Sequence, residues 1–193
     1  MKKVLSVLVL LFAFTLVSYG QASNPDADIK EEYECKNMAG ECSIKGTSTL
    51  HDWESKIEDF SINAVRDGDL IDADFKVRVK SIKSGHSGMD KNTYKALYED
   101  QYPEIRFTAD QLQIEANRFI RGHGDLTIAG TTRKIPVEFS MTSWIEDTMT
   151  IDGEITINMT DYGIKPPVAL FGTVKTGEEI VFVINTTLNK VNN

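Results

Sequence analysis

The chain has 193 residues, 41% of them hydrophobic, and a formal net charge of −8. That length suits one domain with a core of its own. The acidic balance disfavours nucleic acid and anionic lipid headgroups as partners, and leaves neutral or apolar molecules, or proteins.

The first segment reads as an export signal. Lys2 and Lys3 precede an apolar or small-residue run from Val4 to Val17, and Ser18 and Gly20 place small residues before a cut at Gln21. A signal peptidase reads that layout. The run is shorter than the roughly 20 residues a bilayer span needs. Residues 1–20 are therefore expected to be a cleaved signal peptide. The mature chain would carry no transmembrane segment and would be exported, to the periplasm or outside the cell. Residues 21–41 are expected to form a polar leader and the start of the domain, and residues 42–193 the domain itself. Cys35 and Cys42 are the only cysteines. In an oxidising compartment a disulfide between them is the expectation, with two free thiols as the alternative.

From there the sequence alternates with the period of a strand. In DADFKVRVKSI, Phe75, Val77 and Val79 share one face and Lys76, Arg78 and Lys80 the other. TMTIDGEITINM repeats the pattern through Met149, Ile151, Ile155 and Ile157, and RKIPVEFSM through Val137 and Phe139. About eight strands are expected, near 42–50, 52–65, 70–83, 104–115, 118–129, 133–145, 148–160 and 178–190, with breaks at Gly68, Gly130, Asp147 and Thr176-Gly177. Such a series indicates an all-β sandwich or barrel, and an even antiparallel set closes without exposed edges. One segment departs from it. Asp90 is a candidate N-cap, and Tyr94, Leu97 and Tyr98 recur at helical spacing before Tyr102-Pro103 stops the run. A short helix is expected at about 91–100, its stripe either core packing or a lid.

No catalytic set assembles. There is no GxSxG, P-loop or GxGxxG, and His51, His86 and His123 form no metal-ligand spacing. His86 reads as solvated, His51 as a hydrogen-bonded corner, and His123 as a candidate for burial beside Asp125. The carboxylates read as a solvated acidic face. The expectation is a binding protein, not an enzyme, with no cofactor and no metal.

Five stretches, in order, resemble one family: GTSTLHDW, the Met89-Asp90 helix ending in QYPEIRF, GDLTIAGTTRKIPVEF, INMTDYGIKPP and GTVKTGEEIVFVI. Together they run from about Cys42 to Leu188 and identify the chain as a member of the YceI-like family. The resemblance implies an eight-stranded antiparallel lipocalin-like β-barrel with one short helix. Its apolar interior would hold a polyisoprenoid, a quinone-like molecule or a similar amphiphile, for transport, storage or sequestration; the alternatives are a structural or interaction protein with a plugged barrel and a functional surface, or an enzyme that modifies a lipid or quinone. The stretch from Glu34 to Lys45, with its two cysteines, departs from the family's usual first strand.

A barrel of about eight strands lies near the size at which side chains either plug the centre or leave room for one small ligand. Each five-carbon isoprene unit contributes roughly 3–4 kcal/mol before costs, so two to four enclosed units suffice for about micromolar binding without any charged contact. Alternation nominates Phe75, Val77, Val79, Phe107, Leu126, Ile128, Phe139, Ile155 and Ile157 as lumen residues, with Trp53 and Trp144 at the mouth. Gly122, Gly124 and Gly153 interrupt the bulky rows, either opening a cavity or marking bends.

Overall fold

The computed structural model describes residues 30–36, 40–116, 118–169 and 172–192. The expected signal peptide lies outside the described residues.

Alternating sequence gives strands, and strands need partners on both edges. Here every strand longer than two residues finds them. The segments are β1 (Glu31–Lys36), β2 (Gly40–Ser48), β3 (Trp53–Ile57), β4 (Phe60–Asp67), β5 (Leu70–Arg78), β6 (Ile82–Lys83), β7 (Glu104–Ile114), β8 (Phe119–Ile128), β9 (Thr131–Ile145), β10 (Thr148–Asn158), β11 (Val168–Ala169) and β12 (Val174–Lys190). Three pairs act as single staves: β1 with β2, β3 with β4, and β5 with β6. With β7, β8, β9, β10 and β12 they make eight antiparallel staves. Closure is made on β12, which pairs β10 along one edge and β2 and β1 along the other. The turns follow their chemistry. Between β8 and β9, Ala129 and Gly130 both take positive φ, the requirement of a two-residue hairpin turn whose twist matches the strands.

The inward rows are the expected ones. Phe75, Val77 and Val79 are buried on one stave, Phe107, Ala109 and Leu112 on the next, and Met149, Ile151, Ile155 and Ile157 on β10. Three boundaries and the placement of His123 differ from the sequence reading. Part of the expected leader is wall: β1 pairs with β4 over six residues, with Tyr33 and Cys35 inward, so the barrel begins before Cys42. Two apolar positions among three glutamates and a lysine were too few to show a period. The helix α1 runs over Ser87–Ala96, one turn earlier than expected. Asp90 lies inside it, and its Oδ1 accepts from the Ser84 N–H (2.8 Å) and the Ser84 hydroxyl (2.6 Å), fastening the loop behind. Burial opposes the charge on Asp90, but these two Ser84 donors hold its carboxyl below the usual carboxylate range. Thr176-Gly177 is not a break, because β12 runs through it and absorbs a register shift between Thr176 and Ile180. His123 is exposed: the inward positions of β8 there are Gly122 and Gly124, so the residue between them faces out.

The expected disulfide is absent from this structure. Cys35 and Cys42 are both buried free thiols. Cys35 Sγ lies 3.2 Å from the Thr186 hydroxyl. Burial pushes the Cys42 thiol up to about 12.

Candidate functional site

The barrel interior divides into two unlike halves. In the half away from α1, large side chains meet across the axis and leave a void of only ≈ 60 Å³ among Phe75, Phe107, Leu126, Phe139 and Ile155. The three glycines belong to this filling. A Cβ on Gly124 would lie 2.3 Å from Cζ of Phe107, one on Gly122 2.7 Å from Cδ2 of Leu112, and one on Gly153 2.4 Å from Cδ1 of Phe139. Rings and methyls from the neighbouring staves occupy the space the glycines vacate, so these positions do not open a cavity, and Gly122 and Gly124 lie opposite the register shift between Thr108 and Gln113 of β7.

That half ends in a charged cluster. Glu31 accepts from Arg66 Nη1 (2.6 Å), Lys190 Nζ (2.6 Å) and the Tyr33 hydroxyl (3.3 Å). The Arg66 guanidinium stands 4.3 Å from the centre of the Trp144 ring, within cation–π range. The Lys190 ammonium, with Arg66 beside it, holds the Glu31 carboxyl below the usual carboxylate range against the opposing effect of burial. Burial, then the Glu31 charge, pushes the Tyr33 phenol up.

The other half is open. A cavity of ≈ 670 Å³ lies between α1 and the barrel wall and reaches the surface. Its walls are Ile44, Ile82, Ile105, Ile128, Met159, Ile164 and Ile180, its roof is Met89, Ala96 and Leu97 of α1, and its rim carries Trp53, His51, His86, Pro167, Val168 and Val174. Phe182 and Ile105 line both spaces and form the partition between them. A hydroxyl, Ser55, is the polar group in the deep wall.

Local chemistry fixes the roof and the rim. The Tyr94 hydroxyl donates toward the carbonyls of Lys80 and Ile82 (3.0 Å each) and accepts from Lys83 Nζ (2.7 Å), which ties α1 to the end of the β5/β6 stave. The expected aromatic stripe is split: Tyr94 and Leu97 are half-buried, whereas Tyr98 is 48% exposed. No residue of α1 is fully buried, so the helix lies on the barrel as a cover rather than inside it as core. Trp53 lies against Gly46, where a Cβ would come within 2.4 Å of the indole, and its Nε1 donates to the Thr47 carbonyl at 3.0 Å. The corner at His51 is hydrogen-bonded as expected. Ser48 Oγ donates to the His51 carbonyl (2.7 Å) and accepts from the His51 N–H (3.2 Å).

Of the nominated residues, Trp53 and Ile128 line the large cavity. Phe75, Phe107, Leu126, Phe139 and Ile155 line the small void. Val77, Val79 and Ile157 are buried and line neither. Trp144 belongs to the opposite end, near the close of β9, beside Arg66. The residues that shape the cavity but went unnominated are chiefly isoleucines, with Met159, Phe182 and Ser55. Alternation marks all of these on strands as inward. Ser55 in particular holds the inward position of WESKI between Trp53 and Ile57. Among the described residues no group of three or more His, Cys, Asp and Glu gathers at metal-binding distance, and no helix is long and apolar enough to cross a membrane.

A closed antiparallel barrel with a one-ended, largely apolar cavity under a surface helix belongs to the class of barrels built around an apolar ligand pocket. The model of the YceI-like domain matches residues 23–188, and the chain belongs to that family. A UPF0312 protein of Pseudomonas putida strain W619 is 28% identical over 186 residues, covering 90% of this chain and 93% of that protein. A UPF0312 protein of Pseudomonas syringae pv. tomato is 27% identical, covering 86% and 90%. Among solved structures, Burkholderia cenocepacia BcnA superposes with a TM-score of 0.66 at 16% identity, over 77% of this chain and 95% of that one. A polyisoprenoid-binding domain from Saccharophagus degradans does so with a TM-score of 0.65 at 8% identity, over 83% and 98%. At those identities the likeness is one of fold.

Proposed function

We propose that this protein is an exported carrier that holds an isoprenoid, an isoprenoid quinone or a similar apolar amphiphile in the cavity beneath α1. The observation that supports this most strongly is the ≈ 670 Å³ of space walled by isoleucines and a methionine, in a barrel whose other half leaves only ≈ 60 Å³. At about 30 Å³ per water-sized group, that space holds roughly 20 chain atoms, or about four isoprene units. Such a chain gains more than 8 kcal/mol gross from burial, enough for about micromolar affinity after the cost of ordering it. The solved domain from Saccharophagus degradans is described as polyisoprenoid-binding, which favours the same class of occupant. Export is the reading of the basic start and apolar run in residues 1–20.

Binding is preferred over catalysis on the disposition of the titratable groups. His123 faces away from the cavity on β8, and His51 and His86 stand at the rim, with His51 Nδ1 on the Asp52 carbonyl. Among the described residues the deep wall offers no acid–base pair. Extraction of the natively expressed protein with organic solvent, followed by mass spectrometry, tests the proposal. A lipid recovered in near-stoichiometric amount supports it. A protein that never carries lipid, and takes none up when supplied, removes it.

A further inference from the structure

Ser55 is 1% exposed, lines the open cavity, and its hydroxyl has no hydrogen-bond partner. A buried hydroxyl left unpaired is disfavoured, and in a native protein it asks for an explanation. Three polar groups at the rim are satisfied within the chain: Ser48 Oγ by His51, His51 Nδ1 by the Asp52 carbonyl at 2.6 Å, and Trp53 Nε1 by Thr47. Ser55 stands at the floor, not the rim. It pairs in register with Ile44, which pairs with Phe182, the partition residue.

We propose that Ser55 is the deep polar contact of the bound lipid. The ligand sits with a neutral hydroxyl, carbonyl or carboxamide innermost against Ser55 Oγ, and its apolar chain runs toward the mouth. This rests on the carrier reading and narrows it to one end group and one orientation. The end group is neutral because, among the described residues, the deep wall holds no cation. Lys91 lies on the outer turn of α1 and is exposed, so a phosphate or carboxylate at the floor would be buried without a counter-charge. The chain points outward because one side of the mouth is greasy where water reaches it. Val168 is 57% exposed, with Pro167 and Val174 alongside, and a chain leaving the cavity would cover them.

The test uses the delipidated mature chain and displacement of N-phenyl-1-naphthylamine by geranylgeraniol, by the matching hydrocarbon without the hydroxyl, and by geranylgeranyl phosphate. The wild type is expected to bind the alcohol more tightly than either of the others. Ser55→Ala is expected to weaken the alcohol by about three- to tenfold, the worth of one hydrogen bond, and to leave the hydrocarbon unchanged. Ser55→Thr, which keeps the hydroxyl, should restore the preference. Equal loss for alcohol and hydrocarbon would make Ser55 a packing residue. No change for the alcohol would put the head at the mouth, and tighter binding of the phosphate would overturn the neutral end group. A wild type that binds alcohol and hydrocarbon equally refutes this inference and leaves the carrier reading standing. A wild type that binds none of the three refutes both.

Discussion

Gly124→Ala probes the solid half of the barrel. Gly124 is buried on β8, and a Cβ there would stand 2.3 and 2.4 Å from two ring carbons of Phe107 and 2.8 Å from the Thr108 carbonyl. Carbon atoms in contact rest at about 3.5–4.0 Å. The ring has to move by more than 1 Å, and the carbonyl belongs to β7, which the β7–β8 ladder holds in place. The residual void of ≈ 60 Å³ gives the ring little room. Overpacking of this kind costs about 1–3 kcal/mol. The smaller backbone entropy of the unfolded alanine variant offsets roughly 0.4–1 kcal/mol of that. The net loss of about 1–2 kcal/mol corresponds to a fall in Tm of roughly 2–8 °C for a domain of this size. Thermal unfolding followed by circular dichroism reads it, with Gly88→Ala on α1 as the control. A Cβ at Gly88 meets nothing within 4 Å, so that variant should hold or raise the Tm. Lipid affinity should not change in Gly124→Ala, because the cavity lies on the other side of Phe182. A Tm equal to or above that of the wild type would show that Phe107 does not fill the space beside Gly124, and the division of the barrel into two halves would fail with it.

Three further outcomes follow from the same structure. Ala96→Phe drives a ring from the roof into the cavity; displacing two methylene-sized groups at about 0.8 kcal/mol each should weaken binding of a long-chain probe about tenfold, measured by fluorescence titration, with little change in stability. Glu31 has its pKa lowered by Lys190 and Arg66, so its contribution to stability is present above the ordinary carboxylate range and is lost as pH falls through its depressed pKa. Urea midpoints measured from neutral to strongly acidic pH should therefore fall less steeply in Glu31→Gln than in the wild type, and parallel curves would contradict the pairing. Burial keeps Cys42 a thiol at ordinary pH, so iodoacetamide should leave it unlabelled in the native protein and label it after denaturation. An intact mass lower by a pair of hydrogens would show instead that Cys35 and Cys42 have joined.

The staves were legible because burial on one face imposes a period of two, and that period survives in residues such as Phe75, Val77, Val79, Ile155 and Ile157. The same period explains what could not be read. It says whether a residue points inward, not at what height along the barrel it sits. Phe75 and Ile128 are both inward, yet one helps plug the barrel and the other lines the cavity, because strand register sets their heights. Trp144 was misplaced for that reason: nothing local shows which end of β9 carries α1. The glycines were ambiguous because their meaning lies in the neighbouring stave, where Phe107, Leu112 and Phe139 sit. The helix boundary moved because Asp90 works from inside the first turn, reaching back to Ser84, rather than as the cap. Ser55 carried a usable signal, a small polar residue at an inward position, but its lack of a partner appears only when the surrounding wall is assembled.

The most direct measurement is a pair of crystal structures, one of the delipidated chain and one of the chain carrying its natural lipid, compared in the interior. The loaded crystal should show continuous elongated density between α1 and Phe182, ending near Ser55, with no added density among Phe75, Phe107 and Phe139 in either form. Side chains that fill the space beneath α1 in both crystals, or lipid found only on the outer surface, would contradict a half-open barrel that holds its ligand inside.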